Sequence, residues 1–205
     1  MNTIFFFLIL VFTANSYAGQ HQVVNPIIHN KSSKLFTVYF PGLEISEEMR
    51  VACHLLFAEQ LVRKGKTHHL SKNQIENRNH IADLLHEYAL RGEYPKNYDY
   101  PEERAPCFID KDGTICAVGY LIEQTEGREV AESINDDFQY ADILEMNQEQ
   151  LQIWATKNGL TLTEVAIIQP TYEYLNPVSK TILFEPVGSL RPSASVLAGL
   201  SRSEE

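Results

Sequence analysis

Apolar positions recur along this chain at helical spacing in most segments and at strand spacing in a few, and the switches between them outline the elements. After Ser46, with Glu47 and Glu48 in a first turn where the helix dipole favours them, Ile45, Met49, Val51, Ala52, Leu55, Leu56, Phe57, Ala58 and Val62 cover most of a helical circumference up to Lys64, where Gly65 ends it. Ser71 and Gln74 form a capping box for a second helix, 72–91, closed by Gly92. Ile81, Leu84, Leu85 and Tyr88 make its apolar stripe, and Glu76, His80, Asp83 and Glu87 the opposite one. Helical patterns also cover 117–124 and 128–134 around Gly127. Asn147 with Gln150 opens a helix through Lys157, and Thr161 with Glu164 opens one over 162–169, stopped by Pro170.

Strand composition occurs at Leu35 to Phe40, before Pro41-Gly42, and more weakly at Thr181 to Phe184. Between them, 106–109 and 114–118 flank Asp110-Lys111-Asp112-Gly113, which reads as strand, four-residue turn and strand. In that register Cys107 faces Cys116, at the spacing a cross-strand disulfide needs. A two-residue turn at Asp112-Gly113 would instead set Cys116 against Ile109. The expected fold is α+β and mostly helical, four or five helices packed around a small antiparallel hairpin. Residues 35–174 form one domain, after a flexible lead-in over 19–34 and before a weakly structured tail, 175–205.

The apolar run Ile4 to Phe12 with Ser16-Tyr17-Ala18 has the form of a cleaved secretory signal over 1–18, although no Lys or Arg precedes the run. It is too short to span a bilayer. The expected product is exported, periplasmic or secreted, and begins after Ala18. Export to an oxidising compartment makes a disulfide among Cys53, Cys107 and Cys116 the natural use of two thiols. The net charge of −10 argues against nucleic acid, whose phosphates need clustered Lys and Arg.

Arg91-Gly92-x-Tyr94-Pro95-x-Asn97, Phe108-Ile109-Asp110, Cys116-Ala117-Val118-Gly119-Tyr120-Leu121, Trp154, Gly159-Leu160-Thr161 and Ile168-Gln169-Pro170-x-Tyr172 together resemble an uncharacterised family of exported bacterial proteins over residues 73–172. The resemblance implies a bacterial, exported origin and carries no activity with it.

Four candidate sites compete with ordinary structural roles. Cys116, beside Ala117 and Gly119 at a strand-to-helix junction, is where a helix amino terminus could activate a thiol, as in a cysteine-dependent envelope hydrolase. No known hydrolase signature surrounds it, and a bridge to Cys107 would consume it. His80, Asp83 and Glu87 share a helix face and could ligate a metal, yet without recognised spacing they read as a solvated face. Asp110 and Asp112 open like a calcium loop, but Thr114 and Leu121 stand where ligands are needed. Tyr94, Tyr98 and Tyr100, with Pro95 and Pro101, could line a groove for a protein, peptide or glycan. The sequence therefore points to a non-enzymatic binding or structural protein, without a cofactor and with no residue assigned to catalysis or metal.

Overall fold

Among the described residues six helices, rather than the four or five expected, carry the structure, each beginning or ending where the sequence places a cap. The computed structural model describes residues 23–29, 31, 46–147 and 149–175. The signal expected over 1–18, the strand expected at 35–40 and the one at 181–184 lie outside the described residues, as does the expected tail from 176. In chain order the helices are α1 (Glu47–Lys64), α2 (Lys72–Arg91), α3 (Ala117–Glu126), α4 (Arg128–Phe138), α5 (Glu149–Lys157) and α6 (Leu162–Ile168).

Helix α1 is capped by Ser46, whose hydroxyl accepts the Met49 N–H at 3.3 Å. Its buried side is narrower than the sequence suggests: Val51, His54, Leu55, Ala58, Glu59 and Val62 are buried, while Met49 and Leu61 face solvent. The capping boxes at Ser71–Gln74 and Thr161–Glu164 both form, fixing the starts of α2 and α6. The pairing of α1 with α2 is the most extensive between helices, α3 packs on α2, α4 and α6, and α6 closes against α1. Helix α3 is buried over its first two turns, Ala117 to Ile122, at the middle of one core that also takes Phe108, Ile134, Trp154 and Tyr172.

The expected hairpin does not form, and among the described residues the fold is all-α rather than α+β. No strand occurs there, only isolated bridges joining Asn97 with Tyr174, Ala105 with Tyr172 and Ile109 with Ile115. Two physical causes limit the 106–118 segment to a single bridge. Its outer partners are taken by α4 and the turn after it: the Phe108 N–H donates to the Gln139 carbonyl at 2.7 Å, and the Ile109 N–H to the Asn135 side chain at 2.9 Å. On the other arm, Cys116 is already the cap of α3, so the chain turns helical after one pair.

The register is also slipped by one residue. The Asp110 N–H donates to the Thr114 carbonyl at 3.0 Å and the Cys116 N–H to the Phe108 carbonyl at 2.8 Å, so 109 faces 115 across a five-residue loop. One carboxylate oxygen of Asp110 holds that loop, accepting the N–H groups of Asp112 and Thr114 at 2.9 Å each. A one-residue slip changes which side chains oppose one another. Cys107 therefore does not face Cys116, and Cys53, Cys107 and Cys116 are free thiols rather than a disulfide and one remainder.

Part of the expected lead-in is built into the core. Val24, Asn25 and Ile28 are buried. The Asn25 amide donates to the carbonyls of Ala166 and Gln169, both at 2.8 Å, where the end of α6 leaves acceptors without helical partners. Its carbonyl oxygen accepts from the N–H groups of Ile27 and Ile28. The Thr171 N–H completes the join, donating to the Val24 carbonyl at 2.7 Å. Replacing Asn25 by Ala is expected to cost about 1–3 kcal/mol, the range for stranding buried polar groups. Asn25→Asp is expected to cost more, because it sets a carboxylate against carbonyl oxygens. Urea midpoints of the two variants check the order.

Candidate functional site

Neither buried thiol is equipped for nucleophilic chemistry. Cys116 caps α3, its Sγ accepting the Gly119 N–H at 3.3 Å, which is the geometry that can stabilise a thiolate. The side chain is 1% exposed, however, and burial pushes its pKa up to about 12 despite the backbone N–H groups of Gly119 and Val118. Burial, followed by the charges of Cys116, Asp110 and Asp99, raises Cys107 to about 12 as well. At neutral pH both stay protonated. In the native protein at pH 8, iodoacetamide is expected to modify half-buried Cys53 and to spare Cys107 and Cys116 until urea is added. Since Ser is a favoured helix cap, Cys116→Ser is expected to change stability by no more than about 1 kcal/mol. Loss of a native disulfide would cost about 2–5 kcal/mol, so chemical denaturation of that variant separates the two cases.

His80, Asp83 and Glu87 do lie on the exposed face of α2, but the two carboxylates are engaged. Asp83 pairs with Arg63 at 2.6 Å and Glu87 with Arg91 at 2.8 Å. Among the described residues, no group of three His, Cys, Asp or Glu side chains is placed to hold a metal ion.

The Tyr-rich loop is tied down rather than open. Asn97 is buried and organises it, donating to the carbonyls of Tyr100 and Glu103 at 3.0 and 2.9 Å and accepting the Tyr100 N–H. Tyr94 is buried with its hydroxyl on the Ala89 carbonyl at 2.7 Å. Tyr98 donates to Asp112 and lies under the Lys111 ammonium, 3.7 Å from the ring centre. Tyr100 packs edge-on against Tyr140, whose hydroxyl donates to Asp99. Asp110 joins the loop to the slipped turn by accepting the Lys96 N–H at 3.0 Å.

A cleft of about 430 Å³ opens where this loop, the turn and the start of α1 meet. Glu47, Glu48 and Val51 form one side, residues 92–96 with Thr114 another, and the extended segment 172–175 the third. That segment is held in place by backbone bonds between Tyr172 and Ala105 and by the Leu175 N–H on the Asn97 carbonyl at 2.8 Å. Arg104 sits behind it, its side chain 6% exposed, with both terminal nitrogens on Glu47 at 2.9 and 2.6 Å, one also on Glu173, and a further bond to the Thr171 carbonyl. Arg50 adds a second cation to Glu173 at 3.1 Å. These pairs fix two of the four carboxylates at the cleft. Burial first, then the charges of Cys53 and Glu48, push the Tyr94 hydroxyl up to about 12.

Tyr94 belonged to the sequence-predicted binding surface and lines this cleft, whereas Tyr98 and Tyr100 are not among the lining residues. Glu47 and Glu48 were legible only as helix-start residues, and Arg104 gave no local signal, because its partners Glu47 and Glu173 are far from it in the chain. No protein-family model, no curated protein and no solved structure matches the chain. The site's chemistry therefore rests on its own geometry.

Proposed function

We propose that this chain is an exported, non-catalytic binding domain of the bacterial envelope, and that its partner or ligand enters the cleft between α1, the 92–96 loop and the 172–175 segment. The observation that carries this reading is a concave site with aromatic walls and fixed carboxylates, built from three separate parts of the chain. Its volume lies in the range of small-ligand sites and also suits one or two side chains of a peptide. The protonated, buried thiols weigh against the hydrolase alternative at Cys116, and the ion-paired Asp83 and Glu87 against the metal-binding one. No helix among the described residues is long and apolar enough to cross a membrane. Export, and the family resemblance over 73–172, belong to this proposal and rest on the sequence.

Two measurements test it. The mass of the protein recovered from the culture medium and from the periplasm is expected to match a chain starting at Gly19; a retained Met1 to Ala18 segment in the cytoplasm would remove the export part. A library of short peptides and oligosaccharides, read by amide chemical shifts of the full chain, is expected to perturb residues 92–96 and 172–175 together. Binding that maps elsewhere, or turnover of a library member, would overturn the cleft as the functional site.

A further inference from the structure

Where the 23–28 segment joins the core, the neighbouring imidazole has no place for a second proton. His54 is fully buried on α1, and among the described residues neither ring nitrogen has a hydrogen-bond partner. The Ile167 carbonyl, near the end of α6, lies beside the ring, and the Asn25 amide reaches the same carbonyl at 3.4 Å. Thr171 holds the segment as well: its N–H donates to the Val24 carbonyl at 2.7 Å and its hydroxyl to the same oxygen at 3.0 Å. That hydroxyl also accepts from Arg104 Nε at 3.3 Å. Arg104 is the charge felt at His54. Its guanidinium is shared with Glu47 and Glu173, and Arg50, one turn before His54, also binds Glu173. Glu59, on the far side of His54 along α1, is held by Arg63 and His86, and Glu164 of α6 by Arg78. On α2, His80, Asp83, His86 and Glu87 are exposed, and residues 23–28 carry no charge.

We propose that protonation of His54 releases residues 23–28 from the end of α6 and from Thr171, so that the segment is an acid-operated strap. An imidazolium has two N–H donors and no acceptor. In the docked fold one donor has only a carbonyl that Asn25 already contacts, and the other has none. The new charge also stands toward the Arg104 cation, whose carboxylate partners are already engaged. Lifting the strap frees the Ile167 carbonyl and lets water reach the ring. The strap gives way before the helices do because it is held by Val24, Asn25, Ile28 and a few hydrogen bonds, whereas α1 packs along both α2 and α6. Burial keeps the docked ring's pKa at about 4, against about 6.5 in water. Docking is therefore strongest above pH 6.5 and weakens as pH falls toward 4. The device stands whether or not the cleft binds a ligand.

Amide hydrogen exchange of the full chain reads the strap directly, because the Thr171 N–H is bonded to it. Between pH 7 and 5 the protection factor of Thr171 is expected to fall by up to about twentyfold, the ratio allowed by one proton bound near 6.5 when the strap is free and near 4 when it is docked. Lifting a short segment exposes little surface, so this exchange is expected to respond weakly to low urea, while the Leu85 and Ile122 amides of α2 and α3 follow the steep dependence of global unfolding. His54→Leu is expected to hold Thr171 protection constant from pH 7 to 5. Asn25→Ala, which leaves the imidazole in place, is expected to lower Thr171 protection at both pH values and to keep the same ratio between them. Thr171 protection that does not fall with pH, that falls equally in His54→Leu, or that shares the urea dependence of Leu85 overturns the strap. So does an Asn25→Ala protein whose Thr171 amide exchanges as in the wild type.

Discussion

Replacing Arg78 by Met is expected to destabilise the protein by about 3–5 kcal/mol, the largest single effect that the described structure supports. Arg78 projects from the buried side of α2 and is 4% exposed. Its guanidinium donates twice to the Val62 carbonyl at the end of α1, at 3.0 and 2.7 Å, and to the Gly159 carbonyl before α6, at 2.6 Å. It also grips Glu164 with two nitrogens, one at 3.1 Å. Glu164 is the acidic member of the α6 capping box, so one side chain joins the end of α1, the middle of α2 and the start of α6. Met would fill part of the volume but strand two carbonyls and a half-buried carboxylate.

Burial by itself would raise the Glu164 carboxyl, and the bonds from Arg78 and from Thr161 instead hold it below the usual range. A depressed carboxyl pKa contributes stability above its unfolded value that is lost as pH falls through the folded one, so this pair weakens only in acid, below about pH 4.5. Two glycines make room for the arrangement. A Cβ on Gly65 would stand 2.2 Å from the guanidinium, and Gly159 has φ of 64° with the Gln74 carbonyl 2.7 Å from where a Cβ would lie. Urea unfolding of Arg78→Met, Glu164→Gln and the pair gives the coupling directly; additive costs would show that Arg78 and Glu164 do not act together.

His54 governs the second large effect. It is fully buried on α1, and neither ring nitrogen has a hydrogen-bond partner among the described residues. Burial lowers its pKa to about 4; the nearby Ile167 carbonyl favours the charged form a little, and the Arg104 charge opposes it. The unfolded chain takes up the proton near pH 6.5 and the folded one only near 4. The neutral ring's contribution is therefore complete above pH 6.5 and disappears as pH falls toward 4. Folding stability is expected to drop by about 2 kcal/mol between pH 7 and 5, and by about 3 kcal/mol once below pH 4. His54→Leu is expected to flatten the curve between pH 7 and 5, leaving only the loss below about pH 4.5 that belongs to Glu59 and Glu164. Denaturant midpoints at pH 7, 6 and 5 distinguish the two proteins. A wild-type midpoint that does not move over that interval would mean that His54 titrates as an exposed imidazole does.

The helices were legible because their information is local. Ser46, Ser71 with Gln74, and Thr161 with Glu164 sit in the chain beside the groups they cap, and Gly92 and Gly127 mark ends within one turn of the apolar stripe they close. The hairpin was misread for the converse reason. Strand composition from Pro106 to Val118 describes how those residues fit an extended surface, but whether they pair depends on what else offers a hydrogen bond. Gln139 and Asn135, some 30 residues on, offer better ones. The disulfide failed with it, since pairing Cys107 with Cys116 depended on a register that Asp110 moves by one residue.

The sequence alone determined where α1 and α2 start and stop and where α3, α4 and α6 begin, which faces of α2 meet water, and that Asp110 to Gly113 forms a turn, because capping, periodicity and turn chemistry act within a few residues; α3 and α4 run on to Glu126 and Phe138, past the 124 and 134 read from the pattern. Tertiary structure alone decided that the 23–28 segment belongs to the core, that Arg78 and Arg104 are internal cross-links, and that Glu47, Tyr94 and Tyr172 border one cleft. Those outcomes depend on groups that meet only after the chain has folded, where burial sets the energy of each polar atom and no spacing along the sequence records it.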